Sequence, residues 1–483
     1  MKLKNIIIGT AYLLLVNLPL LAFQQTGFSN VEETYLPDSI PYIIVDKISF
    51  VGNKKTKEVI LRRELGIKKN DTLLTDDLRE RLLLEKNKIF NTDLFITVDV
   101  QLAITTPSPY YEIKFLLKER WYLFPVIVFE LADRNFNEWW RDRGADLSRT
   151  NYGIRFVKRN VRGRNETVEA LIQRGFTEKY EFFYTFPYLD KKQLYGLEYK
   201  ISYSEEKAIA FRTFDNVLDF VPRSEDVLRE RFYTSIRLRR RDGFYKFHFL
   251  ELRYENNSIA DTIARLNPNY YLDGKQTQQF LRAKYEFLYD RRDVTYYPLK
   301  GHFARFSSTK FGVFSRSDID MLTFTAEYDH YFPVTQKLFG EVGFTGRLLF
   351  QNKQPYAQAQ GLGYGDNFIR GYQFYVIDGQ HYVLGQGALK WELLNLRKTL
   401  RFIPIKEFQT VPLAVYFRMY ADAGYIEDNI FQEVTNNQLA NQWLYGAGMG
   451  LDIVSFYNLV IQLDFGINAL AETGFFVNIS GTF

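Results

Sequence analysis

Leu413-Ala414-Val415-Tyr416-Phe417-Arg418-Met419-Tyr420-Ala421-Asp422 alternates strictly between two kinds of side chain. Successive residues of a strand leave on opposite faces. Leu413, Val415, Phe417 and Met419 therefore share one face, and Tyr416, Arg418, Tyr420 and Asp422 the other. In a soluble sandwich the polar face would meet bulk water. In a wide barrel it lines a wet lumen while the apolar face meets lipid. The pattern returns in Leu281 to Tyr289 and in the last nine residues, where Phe475, Val477, Ile479, Gly481 and Phe483 oppose Phe476, Asn478, Ser480 and Thr482.

Sixteen such segments begin near residues 122, 150, 164, 178, 194, 229, 244, 278, 301, 317, 337, 382, 411, 441, 457 and 474. Each fits the roughly 9–11 residues that a tilted strand needs to cross a bilayer. An even count closes an antiparallel barrel with both chain ends on one side. The expected fold is thus mostly β: a small α+β domain followed by a sixteen-stranded transmembrane barrel over 120–483. Two features strain the count. Residues 206–215 read as an extra strand, and the 395–410 connection is long at an end where turns are otherwise short.

Composition agrees with this reading. A mean hydropathy of −0.25 looks soluble, but only every second residue of a barrel strand faces lipid. A net charge of +5 over 483 residues is too mild to argue for nucleic acid. There is no cysteine, hence no disulfide framework and no lipid-attachment thiol. Lys2 and Lys4, the apolar run Ile6 to Leu21 and the small Ala22 read as a signal peptide over 1–22. Asn17 and Pro19 interrupt the run and argue against a membrane anchor. Residues 23–41 read as a linker.

Residues 42–119 read as β-α-α-β-β. The strand Tyr42 to Val51 ends at Gly52-Asn53, and Thr56 to Leu65 and a segment opened by Thr75-Asp76-Asp77 are helical, with Thr75 as a capping hydroxyl. Strands follow at Thr92 to Ile104 and Tyr110 to Lys118. This order, the Gly-Asn turn and Asp93-Leu94-Phe95-Ile96-Thr97-Val98 resemble a POTRA domain.

The connection 351–381 contains Gly361-Leu362-Gly363-Tyr364-Gly365-Asp366-Asn367-Phe368-Ile369-Arg370-Gly371-Tyr372. After it, Glu392 lies between outward Trp391 and Leu393, and Asp422 opens Asp422-Ala423-Gly424; alternation turns both acids inward. A guanidinium offers a fork that two carboxylates can hold. The stretch closely resembles the signature loop of the BamA/TamA-type outer-membrane assembly barrel family, of the surface-antigen kind with a single POTRA domain. The resemblance implies a loop folded into the barrel, with Arg370, Gly371 and Tyr372 anchored to Glu392 and Asp422. It also implies a lateral seam between first and last strands, where Pro125, Gly481 and the terminal Phe483 lie. Proline cannot donate to a ladder and belongs on an edge.

Nothing points to an enzyme. Gly361-x-Gly363-x-Gly365 lacks the Lys-Ser/Thr of a phosphate loop, and His248, His302, His330 and His381 are scattered. No cofactor or metal is expected. The family resemblance implies a protein of the cell outer membrane with its POTRA domain in the periplasm. Its partners would be unfolded outer-membrane proteins, the lipid bilayer, and accessory periplasmic or lipoprotein factors, with no nucleic acid. It would insert barrel clients at the seam. The alternatives are a polypeptide secretion translocator of the same superfamily and a passive, structural barrel.

Overall fold

The computed structural model describes residues 40–480, apart from 106–107, 132–138, 141–143, 222–223, 225, 315–316 and 401–408. The expected signal peptide, nearly all of the linker, Gly481 and Phe483 therefore lie outside the described residues.

The N-terminal domain holds strands β1 (Tyr42–Val51), β2 (Thr72–Leu74), β3 (Phe95–Ile104) and β4 (Tyr110–Glu119), with helices Glu58–Glu64 and Thr75–Phe90. The sheet order is β2-β1-β4-β3; β1 and β4 run parallel and the other pairs antiparallel. Leu78, Leu82 and Ile89 recur at helical spacing and are buried against Ile43, Val45, Val98, Val100, Ile113 and Phe115 of the sheet. Two details differ from the sequence reading. The three-residue β2 is too short to show a period. The Thr75 hydroxyl does not cap its helix but donates to the Ile40 carbonyl at 2.6 Å, and the helix starts from Leu74 without a side-chain cap.

The barrel strands are β5 (Leu123–Leu131), β6 (Thr150–Val161), β7 (Glu166–Gly175), β8 (Thr177–Phe186), β9 (Tyr195–Glu206), β12 (Arg229–Asp242), β13 (Lys246–Ile259) and β14 (Thr277–Asp290). They continue with β15 (Gly301–Phe311), β16 (Asp320–Pro333), β17 (Leu338–Lys353), β20 (His381–Thr399), β21 (Thr410–Glu427), β22 (Trp443–Ser455), β23 (Val460–Asn468) and β24 (Thr473–Ser480). These sixteen form one antiparallel sheet in chain order. Their starts match the sixteen predicted segments to within three residues. The suspected extra strand is a separate hairpin, β10 (Ala210–Phe214) and β11 (Val217–Phe220), outside the barrel sheet. The long 395–410 connection is explained too: the β20–β21 ladder runs on to Thr399↔Thr410, so it is a protruding hairpin.

Burial follows the alternation. On β21, Tyr416, Arg418, Tyr420 and Asp422 are buried while Met419 is 49% exposed. Outward Ile127, Phe129, Ile236, Leu250, Phe344, Trp391 and Phe465 are also exposed, an apolar belt too extensive for water. No helix among the described residues is long and apolar enough to cross a membrane.

The first barrel strand touches a turn near the other margin of the sheet. Phe124 of β5 stacks edge-on against Tyr457 in the β22–β23 turn, with ring centroids 5.4 Å apart. Yet among the described residues β5 pairs with β6 only, and no ladder joins it to β24.

Candidate functional site: the lumen anchor and its two closures

The connection between β17 and β20 turns into the lumen. The Arg370 guanidinium donates from Nε to Asp422 Oδ2 at 2.8 Å and from Nη2 to Asp422 Oδ1. The Arg370 backbone N–H reaches the same carboxylate at 2.9 Å, and Nη2 also donates to the Gly387 carbonyl at 3.1 Å. The Tyr420 ring lies 4.3 Å from the guanidinium carbon. Both Arg370 and Asp422 are buried.

Glycine decides how closely the loop runs along the wall. Gly371 has φ +98°, and a Cβ there would lie 2.9 Å from the Ile467 carbonyl of β23. On the wall itself, a Cβ on Gly446 of β22 would collide with the Arg370 carbonyl. Tyr372 is 2% exposed and packs with Ile369, Leu362, Ile377, Tyr382 and Ile426.

Glu392 is not part of this clamp. It faces the lumen as alternation requires, but in the ladder it stands opposite Tyr416, whereas Gln386 stands opposite Asp422. Six residues at about 3.3 Å each put the two acids roughly 20 Å apart along the wall. Glu392 instead accepts from Asn395 Nδ2 at 2.9 Å, beside a bulge between Glu392 and Leu394. Period two reports facing, not height, so an expected two-carboxylate clamp is a single-carboxylate one.

Sequence reasoning missed a second ion cluster. Arg418 reaches Asp452 at 3.0 Å and Asp464 at 2.7 Å, all three buried. Lys390 pairs with Glu341 at 2.5 Å. The signal was available: Asp452 sits between Leu451 and Ile453, and Asp464 between Leu463 and Phe465, the same apolar-flanked acid that pointed to Glu392.

Pro125 lies in β5, at the margin of the sheet, opposite Phe156 of β6. The inner face of β5 carries Phe124, Val126 and Val128.

The end away from the N-terminal domain is capped. Thr213 of the β10–β11 hairpin shares a hydrogen bond of 2.7 Å with Tyr356, and Tyr364 donates to Asp378 at 2.6 Å. Asn216 bonds Val376 and Asn437, and Asn437 in turn bonds Asp378 and Asp428. Ile209, Ile263, Tyr270, Tyr356 and Phe431 form an apolar cluster beneath. Burial, helped by nearby Asp428, raises the Asp378 carboxyl to about 6, with the Tyr364 and Thr213 hydroxyls opposing.

At the other end the N-terminal domain is docked. Glu64 receives Arg241 of β12 at 2.6 Å and the Tyr188 hydroxyl at 3.1 Å. Burial alone would raise Glu64; the Arg241 guanidinium more than reverses this and holds the carboxyl below its usual range. Arg120 donates to Phe95 O and to Asn458 Oδ1, tying the junction to the β22–β23 turn. Arg397, on the protruding hairpin, lies 3.3 Å from Asp99.

A family model described as "Omp85 superfamily domain" matches residues 160–483. This chain belongs to the Omp85 superfamily. A second model, "Surface antigen variable number repeat", a POTRA match, covers residues 43–120. Among solved structures, BamA from Haemophilus ducreyi lacking POTRA domains 1–3 is similar with a TM-score of 0.52 at 16% identity, over 91% of this chain and 84% of that one. CdiB from Escherichia coli is similar with a TM-score of 0.53 at 11% identity, over 90% of this chain and 75% of that one. At such identities these likenesses speak for the fold. Comparison with curated proteins finds no match. The chain thus joins a POTRA domain to an Omp85 β-barrel domain.

Proposed function

We propose that this Omp85 protein is an outer-membrane assembly factor, with its POTRA domain in the periplasm, that receives unfolded barrel proteins and inserts them at the seam. The observation that carries the reading is the one-sided pairing of β5, which meets β6 and has no ladder to β24 among the described residues. An edge strand offers a row of backbone donors and acceptors, and an incoming strand can use them as a template. Pro125 withholds one donor and keeps that edge weakly committed. No bond is made and no cofactor is called for; the free energy comes from the client's own folding. Arg370 and Asp422 serve as the internal brace, and the outward apolar belt sits in lipid. Accessory periplasmic or lipoprotein factors are natural partners for such a POTRA domain.

The translocator alternative, favoured by the likeness to CdiB, needs a path along the lumen. That path is crossed by the arginine loop and capped at the far end, which supports the seam over the lumen.

Depletion of the protein in its own cells, followed by quantitation of outer-membrane proteins, tests the reading. A broad loss of barrel proteins is expected. Loss of one secreted polypeptide with every barrel protein intact would instead establish the translocator, and no loss at all the passive barrel.

A further inference from the structure

The connection between β14 and β15 is ten residues long where neighbouring turns need far fewer, and it folds inward. Tyr297 is 7% exposed and Pro298 is buried. The Tyr297 hydroxyl donates to Asp452 Oδ2 of β22 at 2.8 Å. Its ring lies 4.9 Å from that of Tyr416 on β21 and 4.5 Å from Lys390 Nζ on β20. Four strands, β16, β17, β20 and β21, separate β15 from β22 in the sheet. The turn therefore reaches across the mouth of the lumen on the POTRA side. Tyr297 packs there with Phe339, Val454 and Val460.

The POTRA domain holds the outer side of the same turn. Asn91, which ends the helix Thr75–Phe90, donates from Nδ2 to the Asp293 carbonyl at 3.1 Å. The preceding Phe90 lies 6.4 Å from Tyr296, ring to ring. Neighbouring residues 296 and 297 thus serve two masters, the domain and the wall.

The chemistry of the two lumen contacts differs. Withdrawing Arg370 would leave the buried Asp422 carboxylate without its cation, which is strongly unfavourable. Withdrawing Tyr297 removes a neutral phenol, and Asp452 keeps its Arg418 partner at 3.0 Å. One contact is built to stay and the other to let go.

We propose that residues 291–300 form a detachable stopper over the POTRA-side mouth of the lumen, held shut by the docked POTRA domain. The stopper controls access to the lumen whether the barrel assembles or exports polypeptide, so its test is independent of the preceding reading.

The absence of cysteine permits a clean experiment. Thr345 lies on the lumen face of β17 between Glu341 and Arg347, so Thr345→Cys supplies a single interior thiol. Its modification by a bulky maleimide is timed in the full-length, detergent-solubilised protein. Tyr297→Phe should speed labelling roughly tenfold, and Asn91→Ala roughly threefold, the sizes expected for one charge-assisted and one neutral hydrogen bond. A thiol in the distal cap, Ala357→Cys, should label at an unchanged rate in both backgrounds. If Tyr297→Phe does not fold, Asn91→Ala, which leaves the wall intact, carries the test alone. Unchanged labelling at position 345 in Asn91→Ala, or equal acceleration at 357, overturns the stopper.

Discussion

Arg370 shows how much one side chain can hold. Its guanidinium and its own backbone N–H converge on a single carboxylate, Asp422, so loop position and charge neutralisation are set by the same group. Arg370→Ala leaves Asp422 buried without its cation, and the barrel should lose about 3–5 kcal/mol. The measurement is the temperature at which the folded, fast-migrating electrophoretic band disappears. Asp422→Asn should weaken the fold in the same direction by less, because the amide oxygen still accepts. Glu392→Gln should change stability by no more than about 0.5 kcal/mol, as befits a partly exposed group outside the clamp. Equal losses in all three variants would restore the two-carboxylate clamp. Alternation made the inward Asp422 legible in the sequence, and the resemblance of the loop to a family signature did the same for Arg370. It misjudged Glu392 because a strand's period carries no information on how far along the wall a residue sits.

At the scale of elements, the distal cap is assembled from connections that have no common pattern in sequence. The β10–β11 hairpin, the segment β18 (Gln360–Leu362) to β19 (Ile377–Asp378), and the helix Gln432–Thr435 meet through Asn216, Asn437 and Asp378. Asp378 makes this cap sensitive to pH. Its folded pKa, about 6, lies above the unfolded value, so the folded cap binds the proton more tightly. The resulting stability is fully present below the unfolded pKa and is lost as pH rises through about 6. Hydrogen exchange of the amides near 377–380, corrected for intrinsic rates, should show firmer protection at about pH 5 than at about pH 7.5. Asp378→Asn should abolish that difference and protect the cap at the higher pH. A cap that loosens on acidification would contradict the assignment. Asp428 and Arg347 are the other charged groups felt by Asp378, and the Tyr364, Tyr356 and Thr213 hydroxyls surround it.

The whole molecule is a wide cylinder that is filled rather than open. The arginine loop occupies its middle wall, the cap closes one end, and the turn carrying Tyr297 with the POTRA domain covers the other. Full-length protein in a planar bilayer should therefore show little steady conductance, far below that of an unobstructed sixteen-stranded pore. Removing residues 360–380 should raise it sharply; a large conductance in the intact chain would refute the filled cylinder. The architecture itself was legible from one strand: the alternation of Leu413 to Asp422, repeated sixteen times, admits few solutions once the outward face is seen to be too apolar for water. The POTRA domain was legible from its element order and the inward arginine from the resemblance of its loop to a family signature. Strand alternation is a local property and survives in the sequence. The height of Glu392 relative to Asp422, the reach of Tyr297 across the mouth to Asp452, and the place of β5 at the margin of the sheet depend on register and on the tertiary course of the chain. These relate residues dozens to hundreds apart, and only the folded cylinder brings them together.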